Sequence, residues 1–183
     1  VKNMLVIEMG KKQIDFKNIS DETQKYKIEA FKSEIKKYPE IINVSYFNQV
    51  PPYLDNSGLG IQQIINESGR SFDLLTLDGD QDMLETLGCT ILEGRQPREG
   101  AEHEAMLNET AVRFLSLEKP VGTKFGGYGF EIVGVVRDFN VQSLRMNINP
   151  LLIGVSSSEN YSYFSLVIRY LPGEALKALD RSK

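Results

Sequence analysis

Apolar positions recur along the chain in two rhythms. Across 20–39, "SDETQKYKIEAFKSEIKKYP", Ile28, Phe31, Ile35 and Tyr38 return every three or four residues, which places them on one face of an α-helix. Ser20 or Asp21 can cap its start, Asp21 and Gln24 have capping-box spacing, and Pro39 stops it. On either side the rhythm is that of strands. "MLVIEM" (4–9) is a short apolar run, and "IINVSYF" (41–47) alternates Ile42, Val44 and Tyr46 against Asn43 and Ser45. The opening therefore predicts β-α-β. Its helix should lie on one sheet face, with Ile28, Phe31 and Ile35 buried against the strands that carry Val6 and Val44.

Pro51-Pro52 marks a boundary, and "YLDNSGLG" continues as loop. Beyond it the elements are shorter. "RSFDLLTLD" (70–78) predicts a strand, "QDMLETLG" (81–88) a short helix closed by Gly88, and "TILEGRQP" (90–97) a strand into a turn. "NETAVRFLSL" (108–117) predicts a helix with Asn108 as N-cap. "KFGGYGFEIVGVVRDFNVQSL" predicts a hairpin: a strand near 123–125, a glycine turn, and a longer strand from 130. "PLLIGV" (150–155) and "YFSLVIRY" (163–170) are further strands, and Pro172 precedes a helical fragment over 173–183. The closing strand and helix look like a second β-α-β interrupted by the end of the chain. The expected fold is α+β: residues 1–50 with 161–183 form one discontinuous domain, and 51–160 an inserted, smaller α+β lobe. No internal repeat or low-complexity segment occurs.

A length of 183 residues allows one large domain or two small ones, with room for a sizeable core. With 41% apolar and 25% charged residues the composition is that of a soluble globular protein. A formal charge of −4 argues against nucleic acid as a partner, because no basic stripe is present to meet phosphates. The Lys-Lys pairs at 11–12 and 36–37 are balanced by nearby acids and read as solvated surface. Cys89 is the only cysteine and His103 the only histidine, so an intrachain disulfide is excluded and a zinc site lacks its usual ligands. No apolar run approaches the roughly 18–20 residues of a membrane span, and the start carries no signal-peptide pattern. A chain beginning at Val1 and stopping at "ALDRSK" is expected to be part of something longer.

The search for chemistry returns little. Asp78, Asp80 and Asp82 invite a calcium loop, but its sixth and twelfth positions are Met83 and Cys89 instead of a glycine and a bidentate acid. A turn with acids at a helix N-terminus explains them better. Two Ser-x-x-Lys tetrads, Ser33–Lys36 and Ser116–Lys119, lack their companion Ser-Asp-Asn and Lys-Thr-Gly elements. "GLGIQQ" (58–63) ends in Gln63 and follows a Pro-rich loop, so it is no dinucleotide fingerprint. His103 sits in the charged "REGAEHEAM" and is expected to be exposed. The sequons at Asn18, Asn43, Asn66, Asn108 and Asn160 carry weight only in a eukaryotic secretory pathway. The expectation is no enzyme, no cofactor and no metal.

Three linked segments carry a resemblance. "DMLETLGCTILEGRQP" contains Leu87, Gly88, Gly94 and Arg95; "AMLNETAVRFLSLEKPVGTKF" contains Asn108, Glu109, Pro120 and Gly122. "FEIVGVVRDFNVQSLRMNINPLLI" contains Gly134, Val135, Asp138, Phe139 and Pro150. In order and spacing they resemble the MacB-like periplasmic core domain of ABC transporter permeases of the MacB/FtsX type, especially Bacteroidetes members. The resemblance is strong over 70–155, while the flanks match by pattern. Ser116 stands where relatives have glycine, and relatives continue past the end of this chain through a further helix and strand to the second membrane helix.

The resemblance implies a split β-α-β, porter-like domain with a Sabre-like lobe at 51–160. Its motif residues would be structural. Gly134 would permit close packing or a bulge, Val135 and Val136 would fill the sheet, and Asp138 would tie the strand's exit turn by an Asx-type bond. It implies a periplasmic domain of a bacterial inner-membrane permease, dimeric when complete, driven by a cytoplasmic ABC ATPase. Such a domain acts by mechanical coupling to a periplasmic partner protein or exported substrate. Two alternatives are a free-standing periplasmic binding or adaptor module, and a hydrolase, which would need a nucleophile–base pair.

Overall fold

The computed structural model describes residues 3–8, 21–47, 60–126, 129–140, 147–155 and 165–181. Their elements run β1 (Met4–Glu8), α1 (Asp21–Ile35), β2 (Ile41–Phe47), β3 (Gly60–Ile65), β4 (Ser71–Gly79), α2 (Met83–Leu87) and β5 (Ile91–Gly94). They continue β6 (Glu104–Asn108), α3 (Glu109–Phe114), β7 (Glu131–Val136), β8 (Leu151–Val155), β9 (Ser165–Tyr170) and α4 (Ala175–Arg181). The described strands form one mixed sheet in the order β1-β9-β2-β4-β8-β6-β7-β5, with β3 also paired to β4. β9 lies antiparallel between β1 and β2. β8 runs parallel to β4 and antiparallel to β6, and β6 runs parallel to β7. The two ends of the sheet meet narrowly: β2 touches β4 through one register pair, Phe47 with Gly79, while β3 covers the rest of that edge of β4.

Alternation along each strand sends side chains to two faces. One face carries a single core in which Phe47, Leu77, Met106, Ile153 and Val167 pack with Met83 and Leu84 of α2. The other face carries two. Val44, Tyr46, Leu166 and Ile168 lie under Ile28 and Ile35 of α1 and Ala178 of α4. Leu74, Leu107, Ile132 and Leu152 pack with Ala111 of α3, Leu115 and Phe125. The helical stripe is real, with Ile28 and Ile35 at 3% and 2% exposure, and Phe31 and Tyr38 half-buried on the same cluster. Its partner on β1 is Leu5; Val6, expected there, faces the opposite core, because neighbouring strand residues point to opposite faces. The helix-capping residues proposed at 20–24, the Pro51-Pro52 boundary and the break at 160–161 lie outside the described residues or side chains.

Three segments differ from the sequence expectation. Residues 61–65, given no element, belong to β3, which starts at Gly60, the last residue of the stretch read as loop, and forms a hairpin with β4. The turn is built by Asn66, whose Oδ1 accepts from Ser68 Oγ and Arg70 N. The charged run around His103 leads into β6, a central strand between β8 and β7; its apolar stretch was too short to stand out beside so many charges. The predicted strand at 123–125 is reduced to isolated bridges, Lys124 with Glu131 and Gly126 with Ile65.

The two short helices of this region end alike. Gly88 (φ 69) follows α2, and Cys89 N donates to Leu84 O at 2.8 Å. Ser116 (φ 55) follows α3, and Leu117 N donates to Val112 O at 3.1 Å. Both are Schellman terminations, which glycine fits and serine does not. A side chain in the left-handed region costs roughly 1–2 kcal/mol, partly offset because glycine is freer when unfolded. Ser116→Gly should therefore raise stability by about 0.5–1 kcal/mol, read as a higher urea midpoint at unchanged slope. An unchanged or lower midpoint would contradict the strain assigned to Ser116.

Candidate functional site

The narrow meeting of β2 and β4 is reinforced by charge. The chain leaves β4 at Gly79, and Asp80 N donates to Tyr46 O at 3.2 Å. The Asp80 carboxylate then stands in for a further strand residue. Its Oδ2 accepts from Tyr46 N at 3.2 Å and its Oδ1 from Ser45 Oγ at 2.5 Å. Lys32 of α1 reaches the same carboxylate, Nζ to Oδ2 at 2.5 Å, and also Asp82 at 2.9 Å and Glu29 at 3.3 Å. Lys36 holds Asp82 from the other side at 2.9 Å. Lys32, Ser45 and Asp80 are buried, at 4%, 0% and 7% exposure, so the charges are satisfied by each other and not by bulk water.

The electrostatics follow from that burial. Desolvation alone would lower the Lys32 pKa, but the charge and hydrogen bond of Asp80, helped by Asp82, outweigh it and hold the ammonium above its ordinary range. Burial alone would raise Asp82, yet hydrogen bonds and charge from Lys32 and Lys36 leave it below the usual carboxylate range. Asp78, one turn of strand earlier, is different: burial raises its pKa. It packs beside Gly154 of β8, where an added Cβ would meet Asp78 Oδ1 at 2.5 Å.

Two further ties cross the same seam. Helix α2 rests on β2 and β9, and Arg169 of β9 donates to its last-turn carbonyl Glu85 O at 3.0 Å. A Cβ on Gly88 would strike Arg169 Nη1 at 2.7 Å, so this glycine serves both the helix end and the guanidinium. The segment after β5 is bound back as well: Gln81 Nε2 donates to Pro97 O at 2.9 Å, Gln96 Nε2 to Gln81 O at 2.7 Å, and Lys25 of α1 pairs with Glu99 at 3.1 Å. Between α1 and these turns lies a cleft of about 380 Å³ lined by charges of both signs.

The motif residues are distributed across the 70–155 region and do not converge on one point. Leu87 packs on the shared core and Phe139 joins it. Gly94 (φ 71) and Gly134 allow β5 and β7 to touch; a Cβ on Gly134 would meet Met106 Cε at 2.7 Å and the Arg95 backbone. The register of β6 against β7 shifts between Ala105 and Met106, which places a bulge at Val133. Val135 is buried, and Pro150 O accepts from Leu75 N. Arg95 and Arg98 both grip Glu104, holding its carboxyl far below its ordinary value, with the Arg95 hydrogen bond as the main cause. Asn108 caps α3 by accepting from Ala111 N at 2.9 Å, and it also accepts from Leu151 N at 3.0 Å. Pro120 is buried and Gly122 (φ 88) lies in the following turn.

Asp138 has a role that the sequence did not suggest. Among the described residues its oxygens accept from Thr110 N, Thr110 Oγ1 and Arg113 Nη2, each at 2.8 Å, so it secures the start of α3; the exit turn beyond 140 lies outside the described residues. Glu109 returns the contact by accepting from Asp138 N at 2.9 Å. A helix N-terminus has unpaired N–H groups and the positive end of the helix dipole, and both favour a carboxylate. Burial alone would raise Asp138, but Arg113 and Thr110 bring it below the carboxylate range.

Sequence reasoning missed Lys32, the cation of the seam. A signal was present, since Lys32 lies four residues after Ile28 and inside the apolar stripe. A lysine at such a position needs a buried acid, and "DGDQD" supplies one. Among the described residues no three His, Cys, Asp or Glu side chains stand together as metal ligands. His103 is exposed, and burial pushes the half-buried Cys89 thiol up to about 12, against a smaller lowering by Arg169.

No protein-family model and no curated protein matches the chain in sequence. Several solved structures share its fold. A domain of a protein described as a permease from Porphyromonas gingivalis matches with TM-score 0.57 at 16% identity, over 82% of this chain and 70% of that one. The periplasmic region of MacB from Actinobacillus actinomycetemcomitans matches with TM-score 0.58 at 14% identity, over 99% and 80%. The extracellular domain of the noncanonic ABC-type transporter YknZ from Gram-positive bacteria matches with TM-score 0.52 at 11% identity, over 96% and 88%. The chain has the fold of a MacB-like periplasmic core domain. Among the described residues no helix is long and apolar enough to cross a membrane.

The seam has a definite cost if opened. Removing one partner of a buried ion pair strands the other, at about 3–5 kcal/mol. Lys32→Ala and Asp80→Ala should each lose about that much in urea unfolding, and Lys32→Met with Asp80→Asn should lose far less than their sum. Additive losses would mean the groups act separately. The pH signs are opposite. The Asp82 contribution is present above its unfolded pKa, about 4, and is lost as pH falls through its lower folded value; that of Lys32 is present below about 10.4 and is lost as pH rises through its higher folded value. The excess stability of the native chain over Lys32→Met should therefore be level between about pH 5 and 10 and shrink on both sides.

Proposed function

We propose that this chain is the extracytoplasmic domain of an ABC transporter permease in a bacterial inner membrane, and that it passes movement from the membrane to a periplasmic partner. A cytoplasmic ABC ATPase would supply the energy, and export, lipoprotein extraction or activation of a periplasmic partner would consume it. The observation that carries this reading is the fold shared with a permease domain, a periplasmic region and an extracellular transporter domain, over 82–99% of the chain. In this reading β1, β9, β2, α1 and α4 make the split β-α-β unit, and β3–β8 with α2 and α3 make the inserted lobe. The complete permease would be a dimer.

The sheet supports a transmitting role. β1 begins where β9 ends, with Tyr170 N donating to Asn3 O, and Leu171 N donates to Glu40 O at the start of β2. Helix α4 returns to this end, where Arg181 lies over the Tyr38 ring at 4.3 Å and pairs with Glu40. The lobe hangs from the opposite end of β2, through Phe47, Gly79 and Asp80. A displacement applied at the β1–α4 end therefore travels along β2 before reaching the lobe, and close-packed elements carry it without much give. We propose further that the domain does no bond-making chemistry of its own. Cys89 is almost wholly protonated at neutral pH, and the thiolate is the nucleophile.

In the full permease, a flexible Gly/Ser insert between the preceding membrane helix and β1 should weaken coupling while leaving ATP binding by the ATPase intact. Transport or partner activation would be measured against the parent. Full activity with the insert would mean a tethered or free-standing binding module, and the mechanical reading would fail.

A further inference from the structure

The lobe has a strand whose outer edge is unprotected. β3 pairs with β4 on one side, in an unbroken register from Gly60 with Thr76 to Ile65 with Ser71. Edge strands are ordinarily shielded by charge, proline or a bulge, because open N–H and C=O groups invite another strand. β5, at the end of the sheet, is shielded: its register shifts between Ile91 and Glu93, and Glu93 is charged. β3 carries no charge, no proline and no register shift, and Ile61 is 67% exposed.

The hydrogen bonds show which groups face outward. Asn66 N donates to Arg70 O just beyond the register, and bonded pairs alternate with unbonded ones in an antiparallel ladder. Ile64 and Gln62 therefore bond to β4, while Ile65, Gln63 and Ile61 turn their N–H and C=O away from it. Two of those carbonyls are engaged. Ile65 O accepts from Gly126 N at 2.7 Å, and Gln63 O accepts from the neighbouring Gln62 Nε2 at 3.0 Å. Gly126 closes the edge at Ile65. At Gln63 and Ile61 no strand lies against it among the described residues, and Gln62 covers one acceptor with a side chain that can turn away.

We infer that a second copy of this chain pairs with β3 here, antiparallel about a two-fold axis through Gln62. Outward-facing residues must meet outward-facing ones, so Ile61 lies opposite Gln63 of the copy and Gln63 opposite its Ile61, with reciprocal backbone bonds. Centring the pair on Gln63 would set Ile61 against Ile65, whose carbonyl is taken. Centring it on Ile61 would carry Gln63 past the start of the copy's β3 at Gly60. Composition selects the occupant. A charged strand would find no counter-charge in β3, whereas a copy sets Gln62 opposite Gln62, where the two amides can pair. Each exposed Ile61 then lies against the stem of the copy's Gln63. The same patch serves on both subunits, as a two-fold requires. The inference goes beyond the permease reading by fixing where two copies meet, and its failure would leave the linker test of that reading untouched.

The test is disulfide trapping in the 183-residue chain with Cys89→Ser. Directly opposed Cβ atoms lie about 4.5–5.5 Å apart and are closest in an unbonded pair, whereas diagonal ones lie about 7–8 Å apart. A disulfide spans only the former. Mild oxidation should link Gln62→Cys into a covalent dimer at least about tenfold faster than Ile61→Cys or Gln63→Cys, although those two positions are more exposed. Gln63→Pro removes an outward N–H and keeps the ladder to β4, and Ile61→Lys sets like charges across the contact. Either one, added to Gln62→Cys, should slow the linking by at least about tenfold while the urea midpoint stays in place. Should Gln63→Pro lower that midpoint, the exposed Ile61→Lys decides alone. Equal rates at the three cysteines, no dimer from Gln62→Cys, or linking indifferent to Ile61→Lys would each overturn the inference.

Discussion

The constraint on which the rest of the structure depends is the single point where β2 meets β4. A sheet normally holds its strands by a ladder of backbone bonds, but here that ladder shrinks to Phe47 and Gly79. Asp80 makes up the deficit with a side chain, offering its carboxylate to the Ser45–Tyr46 edge of β2. An unpaired carboxylate at 7% exposure would be untenable, so α1 has to deliver Lys32. The position of α1 along the sheet is thereby set by a charge as well as by Ile28 and Ile35.

Apolar packing and the ion cluster divide the work. The core of Phe47, Leu77, Met83, Ile153 and Val167 spans both sides of the seam and supplies most of the holding energy, since burial scales with apolar area. Such contacts tolerate sliding and turning. The Lys32–Asp80–Ser45 cluster does not, because its hydrogen bonds lose their value within a fraction of an ångström. Buried ion pairs seldom add much net stability. We attribute to this one the register of the two halves.

Much of this was legible in the chain, and the gaps have physical causes. The 3.6-residue stripe of α1, the alternation in β2, the closing glycine of α2 and the Asn108 cap are local features, and local features leave local marks. β6 was hidden because a central strand needs only a few apolar residues when its neighbours complete the burial; Ala105, Met106 and Leu107 sufficed. The contacts of Lys32 and Asp138 were hidden for a different reason. Their partners lie 48 and 28 residues away, at Asp80 and Thr110, so no window of the sequence contains both halves of either interaction.

The same separation bears on how motion would cross the molecule. Between the β1–α4 end and the lobe there are three ties of unlike kind: the Asp80 cluster, the α2 cap held by Arg169, and the Lys25–Glu99 pair. The first is buried and directional. The last is exposed, and a surface pair such as Lys25–Glu99 contributes little. A load that bends the seam therefore meets a stiff axis at Asp80 and softer restraints beside it. That arrangement favours rotation of the lobe about the end of β2 over separation from it. Rotation preserves the shared apolar core, whereas separation would expose it; packed interfaces move between discrete arrangements by small rotations of this kind. Under the proposed coupling role, a domain built this way would convert a push on one edge of its sheet into a turn at the other.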